Sequence, residues 1–234
     1  MIHQIVNNKR KKVSLTTFIN PFSYLKLRQS DIHLNNFNIK IDGFFLVSIL
    51  NFFGFKFNRE SFDMTSLAPI IFEKIIREKK TVFFVGTEPN LIKLSVDNIK
   101  SSYPHLNISG FHHGFFTKEE KDMIFNNIIN SRVDYVICGM GTPLQEKFLI
   151  DLKKNGWSGI GFTCGGFLHQ TSNNIIYYPN WIDKFSLRAF YRMYDEPKLI
   201  KRYFLIYPLA ILLFLYDLFK FRFSRFVNFT KYKR

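Results

Sequence analysis

Three apolar runs in this chain stop at glycine. Thr81–Val85 ends at Gly86, Val133–Cys138 at Gly139, and Ile160–Thr163 is followed closely by Gly165 and Gly166. Short apolar runs bounded by glycine read as buried strands, and the glycines bring backbone amides to the mouth of a sheet. Helical stretches separate them: Leu91–Ser101, a segment to Asn130 opened by the capping box Thr117-Lys118-Glu119-Glu120, and Gln145–Lys154. Strands alternating with helices predict βαβ units, hence an α/β, Rossmann-like fold with a mostly parallel sheet flanked by helices. In such sheets ligands sit where the strands end. The segment 133–146, VDYVICGMGTPLQE, supplies the central strand, its turn and two polar side chains, Gln145 and Glu146.

The rest of the chain is less regular. Val13–Ile19 reads as a first strand and Phe22–Arg28 as one or two helical turns. Asn35–Ile41 is polar and mixed before the Asp42-Gly43 turn, and Phe44–Phe53 is apolar enough for a buried helix or strand. Gly54–Asp63 is a basic, aromatic loop. A helix runs from Ser66 to Lys79 with Pro69 in its first turn, and Leu106–Gly110 and Trp157–Thr163 read as strands. The expected division is a flexible basic N-terminus (1–12), an α/β domain (13–180) and a basic, apolar C-terminal helical appendage (181–234).

The chain carries 33 basic against 18 acidic residues, a formal net charge of +15, with 47% hydrophobic residues. Such a balance favours anionic partners. The basic residues cluster at Lys9–Lys12 and flank the apolar run Phe204–Tyr216, which suits a membrane surface better than a duplex. No signature of a nucleic-acid-binding fold is present, so no nucleic acid is expected. The run is shorter than the roughly 20 residues that span a bilayer, Asp217 closes it, and Pro208 disfavours a straight helix. A semi-embedded helix with basic flanks is favoured over a core helix and over a spanning one, and the run also suits a second subunit in a homo-oligomer. Cys138 and Cys164 end apolar strands and are expected to be buried and reduced, and no signal peptide is visible, both of which suit a cytosolic compartment.

Few residues suggest chemistry outright. Asp42 can act as a general base at a cleft or simply close its turn, and the residues alone favour the turn. His112-His113 lack a spaced third ligand, so no metal is expected. Gly86-Thr87-Glu88-Pro89 is no dinucleotide fingerprint, and Pro143 has no amide to offer a phosphate. The amides around Gly139, Gly141 and Thr142 can still meet a diphosphate. Gln145 and Glu146 either cap the following helix or hold polar atoms of a sugar or nucleotide.

Several pieces occur in an order that resembles the WecG/TagA/CpsF family of glycosyltransferases. They are NPFSY (20–24), IDG (41–43), VFFVG (82–86), YPHLNISGFHHGFF (103–116), VDYVICGMGTPLQEKF (133–148), GFTCGGF (161–167), YPNW (178–181) and RAFYRMYDEPKLIKRY (188–203). The resemblance implies inverting transfer of a sugar from a nucleotide diphosphate sugar, commonly UDP-linked, to a lipid-linked acceptor in cell-surface polysaccharide synthesis. It implies a peripheral enzyme at the cytoplasmic face of the membrane, without a fixed metal or other cofactor. It makes Asp42 the base that deprotonates the acceptor, reversing the preference for a turn role. It also places Asn20 near the cleft and Arg59 at a diphosphate, matches Gln145 and Glu146 directly as substrate-binding residues, and puts Arg192, Arg202 and Glu196 near the diphosphate or lipid headgroup. Departures point to a distinct substrate branch: Phe18 where a hydroxyl is usual, His169 where an aspartate meets the base, Tyr177-Tyr178-Pro179, and Arg188-Ala189.

Overall fold

The computed structural model describes residues 1–7, 13–177, 182 and 187–231, with side chains to Ser224. Its centre is one six-stranded sheet in the order β2-β1-β6-β5-β3-β4, every adjacent pair parallel. The strands are β1 (Leu15–Ile19), β2 (Phe37–Ile41), β3 (Thr81–Gly86), β4 (Asn107–His112), β5 (Tyr135–Gly139) and β6 (Ile160–Thr163). The helices that flank them are α1 (Ile2–Val6), α2 (Pro21–Arg28), α3 (Phe44–Phe52), α4 (Leu67–Arg77), α5 (Pro89–Ser102), α6 (Lys118–Asn130), α7 (Leu144–Lys154) and α8 (Phe167–Asn173).

Burial explains which strands the sequence announced. β3 and β5 lie inside the sheet and are apolar on both faces, as parallel strands covered by helices must be. Their side chains alternate between two cores. Phe83, Val85, Val136 and Cys138 join the core shared with α6, α7 and α2, while Val82, Phe84, Tyr135 and Ile137 meet α4, α5 and α8. The edge strand β2 buries only Phe37, Ile39 and Ile41 and turns Asn38 and Lys40 outward, so its polar half hid it from the sequence reading. α6 begins on the expected capping box: the Glu120 N–H donates to Thr117 Oγ1 at 3.2 Å, and the Thr117 N–H to Glu120 Oε2 at 2.7 Å.

Other expectations shift. Ile2, Ile5 and Val6 are buried, so the first residues pack as a helix where composition suggested loose order. Trp157 lies before β6, not in it, and its indole N–H donates to the Val133 carbonyl. α3 is not a buried element: it docks through Leu46 and Leu50 and leaves Phe44, Phe45 and Phe52 exposed. The cluster Lys9–Lys12, the YPNW piece and basic side chains from Arg225 onward lie outside the description.

After the sheet come α9 (Arg188–Asp195), the short α10 (Leu199–Lys201), a π-helical segment (Arg202–Ile206) and α11 (Tyr207–Lys231). The helical run Leu199–Ser224 is long and apolar enough to cross a membrane by length and composition, although the sequence reading closed the apolar run at Asp217. Two local features carry the helix on. Pro208 follows directly on the π-helical segment Arg202–Ile206 inside this run, so its missing N–H falls where the regular i→i−4 ladder is already interrupted. Asp217 is satisfied from α2: Arg28 Nε donates to its Oδ2 at 2.7 Å and the Tyr24 hydroxyl donates to the same oxygen at 2.5 Å. Ala210, Phe214 and Leu218, each four residues apart, are fully buried beside this pair, and Phe214 meets Tyr24 edge-on at 4.9 Å. Leu205, Leu209, Leu212, Tyr216 and Phe223 are exposed.

Candidate active site

The C-terminal ends of β1, β2, β5 and β6 open into a cavity of about 770 Å³. Of the residues singled out from the sequence, Asn20, Asp42, Arg59, Gly139, Gly141, Thr142, Gln145, His169, Arg192 and Arg202 line it together. Glu146 does not; it lies beneath the floor, fully buried.

The floor is a connected hydrogen-bond system in which Glu146 Oε2 alone lacks a partner among the described residues. Glu146 Oε1 accepts from the Thr17 hydroxyl at 2.8 Å, the Gln145 amide at 3.1 Å and the Thr142 hydroxyl at 3.2 Å. Thr163 donates to Thr17 at 3.0 Å, and the Gly165 N–H donates to Gln145 Oε1 at 3.1 Å. Gln145 and Glu146 thus tie the ends of β1, β5 and β6 into one rigid rim. The hydroxyl that Phe18 lacks is present one position earlier, on Thr17, where it is bound to Glu146 of α7. Burial pushes the Glu146 carboxyl up, against the pull of these hydrogen bonds. Close backbone approach sets the glycines. A Cβ on Gly86, at φ +144°, would lie 2.4 Å from the Gly139 carbonyl oxygen, and one on Gly139 would lie 2.9 Å from Cys164 Sγ. Thr87 follows at φ +54°, rare for a β-branched residue, and also lines the cavity. Both cysteines are free and buried.

Asp42 stands at the end of β2, partly exposed to the cavity. Its backbone N–H donates to the Ile19 carbonyl at 2.8 Å, continuing the ladder past β1. The returning loop adds a bridge between Ile41 and Arg59, which sets the Arg59 guanidinium 3.3 Å from the Asp42 carboxylate. Behind it sits Asp63, a residue the sequence reading passed over. Asp63 accepts from the Ser61 hydroxyl at 2.5 Å and the Thr65 N–H at 2.9 Å, and pairs with Arg188 at 2.8 Å and Arg59 at 3.6 Å. The contact from residue 63 to the amide of residue 65 is an Asx-turn, so the alternating Ser61, Asp63, Thr65 was its available signal. Burial raises the Asp63 carboxyl, but Ser61, Arg188 and Thr65 outweigh it and hold it below the usual range. Asp42 is raised: burial is the main cause and the Asp63 charge adds to it, against Arg59, Arg188 and Arg192. A base with a raised value retains more proton affinity at neutral pH.

The NPFSY piece joins this cleft to the appendage. Asn20 caps α2 through a capping box with Ser23, accepting from the Ser23 N–H at 3.0 Å while the Ser23 hydroxyl accepts from the Asn20 N–H at 2.8 Å. Pro21 takes the first helical position. The Phe22 ring lies 3.8 Å under the Arg202 guanidinium, and Tyr24 reaches Asp217. Arg192 projects over Gly166, 3.4 Å from where a Cβ would stand, and pairs with Glu196 at 3.4 Å. Arg202 has no carboxylate partner among the described residues, and its buried Nε makes no hydrogen bond. Burial lowers its pKa and the nearby Arg192 adds to that, against Tyr207 and Tyr203. A buried cation without a carboxylate is costly alone and suits an anionic ligand. His169 borders the cavity beside Gln170, and the Tyr177 hydroxyl donates to Asp195 of α9.

A base-like carboxylate, the glycine turns after β5 and β6 and an arginine without a carboxylate therefore line one cavity. The sequence profile of the glycosyl transferase WecG/TagA/CpsF family matches residues 1–224. The chain is 35% identical over 216 residues to a UDP-Gal:alpha-D-GlcNAc-diphosphoundecaprenol beta-1,4-galactosyltransferase of Shigella boydii, covering 92% of this chain and 90% of that one. It is 29% identical over 138 residues to an N-acetylglucosaminyldiphosphoundecaprenol N-acetyl-beta-D-mannosaminyltransferase of Bacillus subtilis (strain 168), covering 58% of this chain and 53% of that one. Matched across nearly its whole length, this chain belongs to the WecG/TagA/CpsF family and is a glycosyltransferase.

Proposed function

We propose that the protein transfers a hexose, with inversion, from a UDP-sugar to the sugar of a polyprenyl-diphosphate-linked acceptor at the cytoplasmic membrane surface. One observation carries the reading: Asp42 and the glycine-ended turns of β5 and β6 line the same cavity. An acceptor hydroxyl beside Asp42 gives its proton to the carboxylate as its oxygen forms the new bond to the anomeric carbon. The bond from that carbon to the diphosphate breaks, and its electron pair leaves on the UDP. Arg202 and the amides near Gly139 and Gly141 stabilise that charge. Arg59 keeps Asp42 oriented and partly offsets the raised proton affinity. The whole-length likeness to the Shigella enzyme makes UDP-galactose the first donor to test, with a GlcNAc-diphospholipid as acceptor. The lipid-linked acceptor in that relative's name supports membrane association, for which the exposed side of α11 is the contact.

The test is acceptor-dependent UDP release with a panel of UDP-sugars, the product anomer read by NMR. Asp42→Asn is expected to lower turnover by about 10²–10⁴-fold while leaving donor affinity close to wild type. Unchanged turnover would remove Asp42 as the base, and a retained anomeric configuration would end the inverting reading.

A further inference from the structure

The residue after Asp42 is Gly43, whose φ of +115° turns the chain into α3. The carboxylate and the first two side chains of α3 therefore leave one turn. Those side chains are Phe44 and Phe45, 70% and 58% exposed, their rings edge to face at 6.2 Å. α3 does not need them to dock, because Leu46 and Leu50 hold it to the core. Both line the cavity that contains Asp42, and Phe22, Leu199, Tyr203 and Tyr207 line it too. One cavity thus carries a cationic interior at Arg202 and an aromatic rim beside the carboxylate.

We propose that Phe44 and Phe45 seat the isoprenoid chain of the acceptor lipid, next to its diphosphate. This rests on the lipid-acceptor reading above and goes beyond it, since it assigns chain recognition to α3. The occupant is chosen by charge and by placement. An acyl chain of the bulk bilayer calls only for apolar surface. Arg59, Arg188 and Arg192 line the same cavity besides Arg202, and that cationic lining suits an amphiphile whose anionic head adjoins its chain. With the chain held at Phe44 and Phe45, the two-residue reach back to Asp42 sets how far the lipid-borne sugar enters.

The experiment compares water-soluble GlcNAc-diphosphate acceptors bearing a short or a longer isoprenoid chain, without bilayer or detergent. Wild-type protein, a Phe44→Ser/Phe45→Ser double variant and Phe52→Ser are assayed together. Phe52 is the control: it is on the same helix, 87% exposed, and not part of the cavity lining. The wild type is expected to show an acceptor KM at least about tenfold lower for the longer chain, since each added buried methylene favours binding. The double variant should bring that ratio close to one, and Phe52→Ser should keep it. A wild-type ratio of one, or a double variant that keeps the wild-type ratio, overturns the seat. In the latter case vesicle sedimentation and sedimentation velocity show whether the rim meets a bilayer or a second copy. Absence of transfer to every acceptor, with transfer retained to a sugar lacking lipid, would overturn the lipid-acceptor reading itself.

Discussion

The floor and the wall of the cavity are built on opposite terms. On the floor, Thr17, Thr142, Gln145, Thr163 and Gly165 answer one another's hydrogen bonds, and only Glu146 Oε2 is left without a partner. Across from it, Arg202 keeps a buried cationic nitrogen unsatisfied and lies on an aromatic ring. A region whose donors are all answered internally is a scaffold. A region whose cation has no carboxylate is arranged for something absent from the chain. Loss of a floor residue should therefore harm stability, and loss of the wall arginine should harm turnover.

Arg202→Ala is the sharpest way to break that contrast. Turnover is expected to fall by about 10²–10³-fold, the usual effect of removing one group that stabilises developing charge, while thermal stability holds or rises because a buried, poorly satisfied cation is gone. A large loss of Tm with little loss of turnover would show the arginine to be structural. Glu146→Ala is the mirror case. It strands buried donors from Thr17 and Gln145, so a loss of about 1–3 kcal/mol is expected, measured by urea unfolding.

Asp217→Asn separates the helix α11 from both. It weakens the hydrogen bonds from Tyr24 and Arg28, and about 1 kcal/mol would lower Tm by about 2–4 °C. The pH sign follows from its environment. Burial raises the Asp217 carboxyl, but Arg28 and Tyr24 outweigh it and the net value is lowered. Its contribution is complete above the unfolded value and disappears as pH falls through the folded one. Acid titration of wild type should thus show a loss of stability below about pH 4 that Asp217→Asn lacks.

The smallest expected effect is a shift in the pH profile set by Asp42. Its value is raised, so the acid limb of the kcat/KM profile should lie above the ordinary carboxylate range. Arg59 opposes that rise, so Arg59→Ala should move the limb to higher pH still. A limb that stays in place would mean that another group titrates.

The sequence carried whatever is local. Apolar runs closed by glycine located β3, β5 and β6, and Thr117 with Glu120 located α6, because burial on both faces and capping are written in neighbouring residues. Asp42, Gln145 and the appendage arginines were legible through the family resemblance, and the structure brings them to one cavity. β2 was hidden by its outward polar residues, and Asp63 by a loop whose turn makes sense only beside Arg188, 125 residues later. The continuation of α11 through Asp217 depended on Tyr24, 193 residues away. Local pattern determined the inner strands and the capped helix α6. Which charge is neutralised, and which aromatic face stays bare, was decided only by packing, since those depend on partners that no short window of sequence contains.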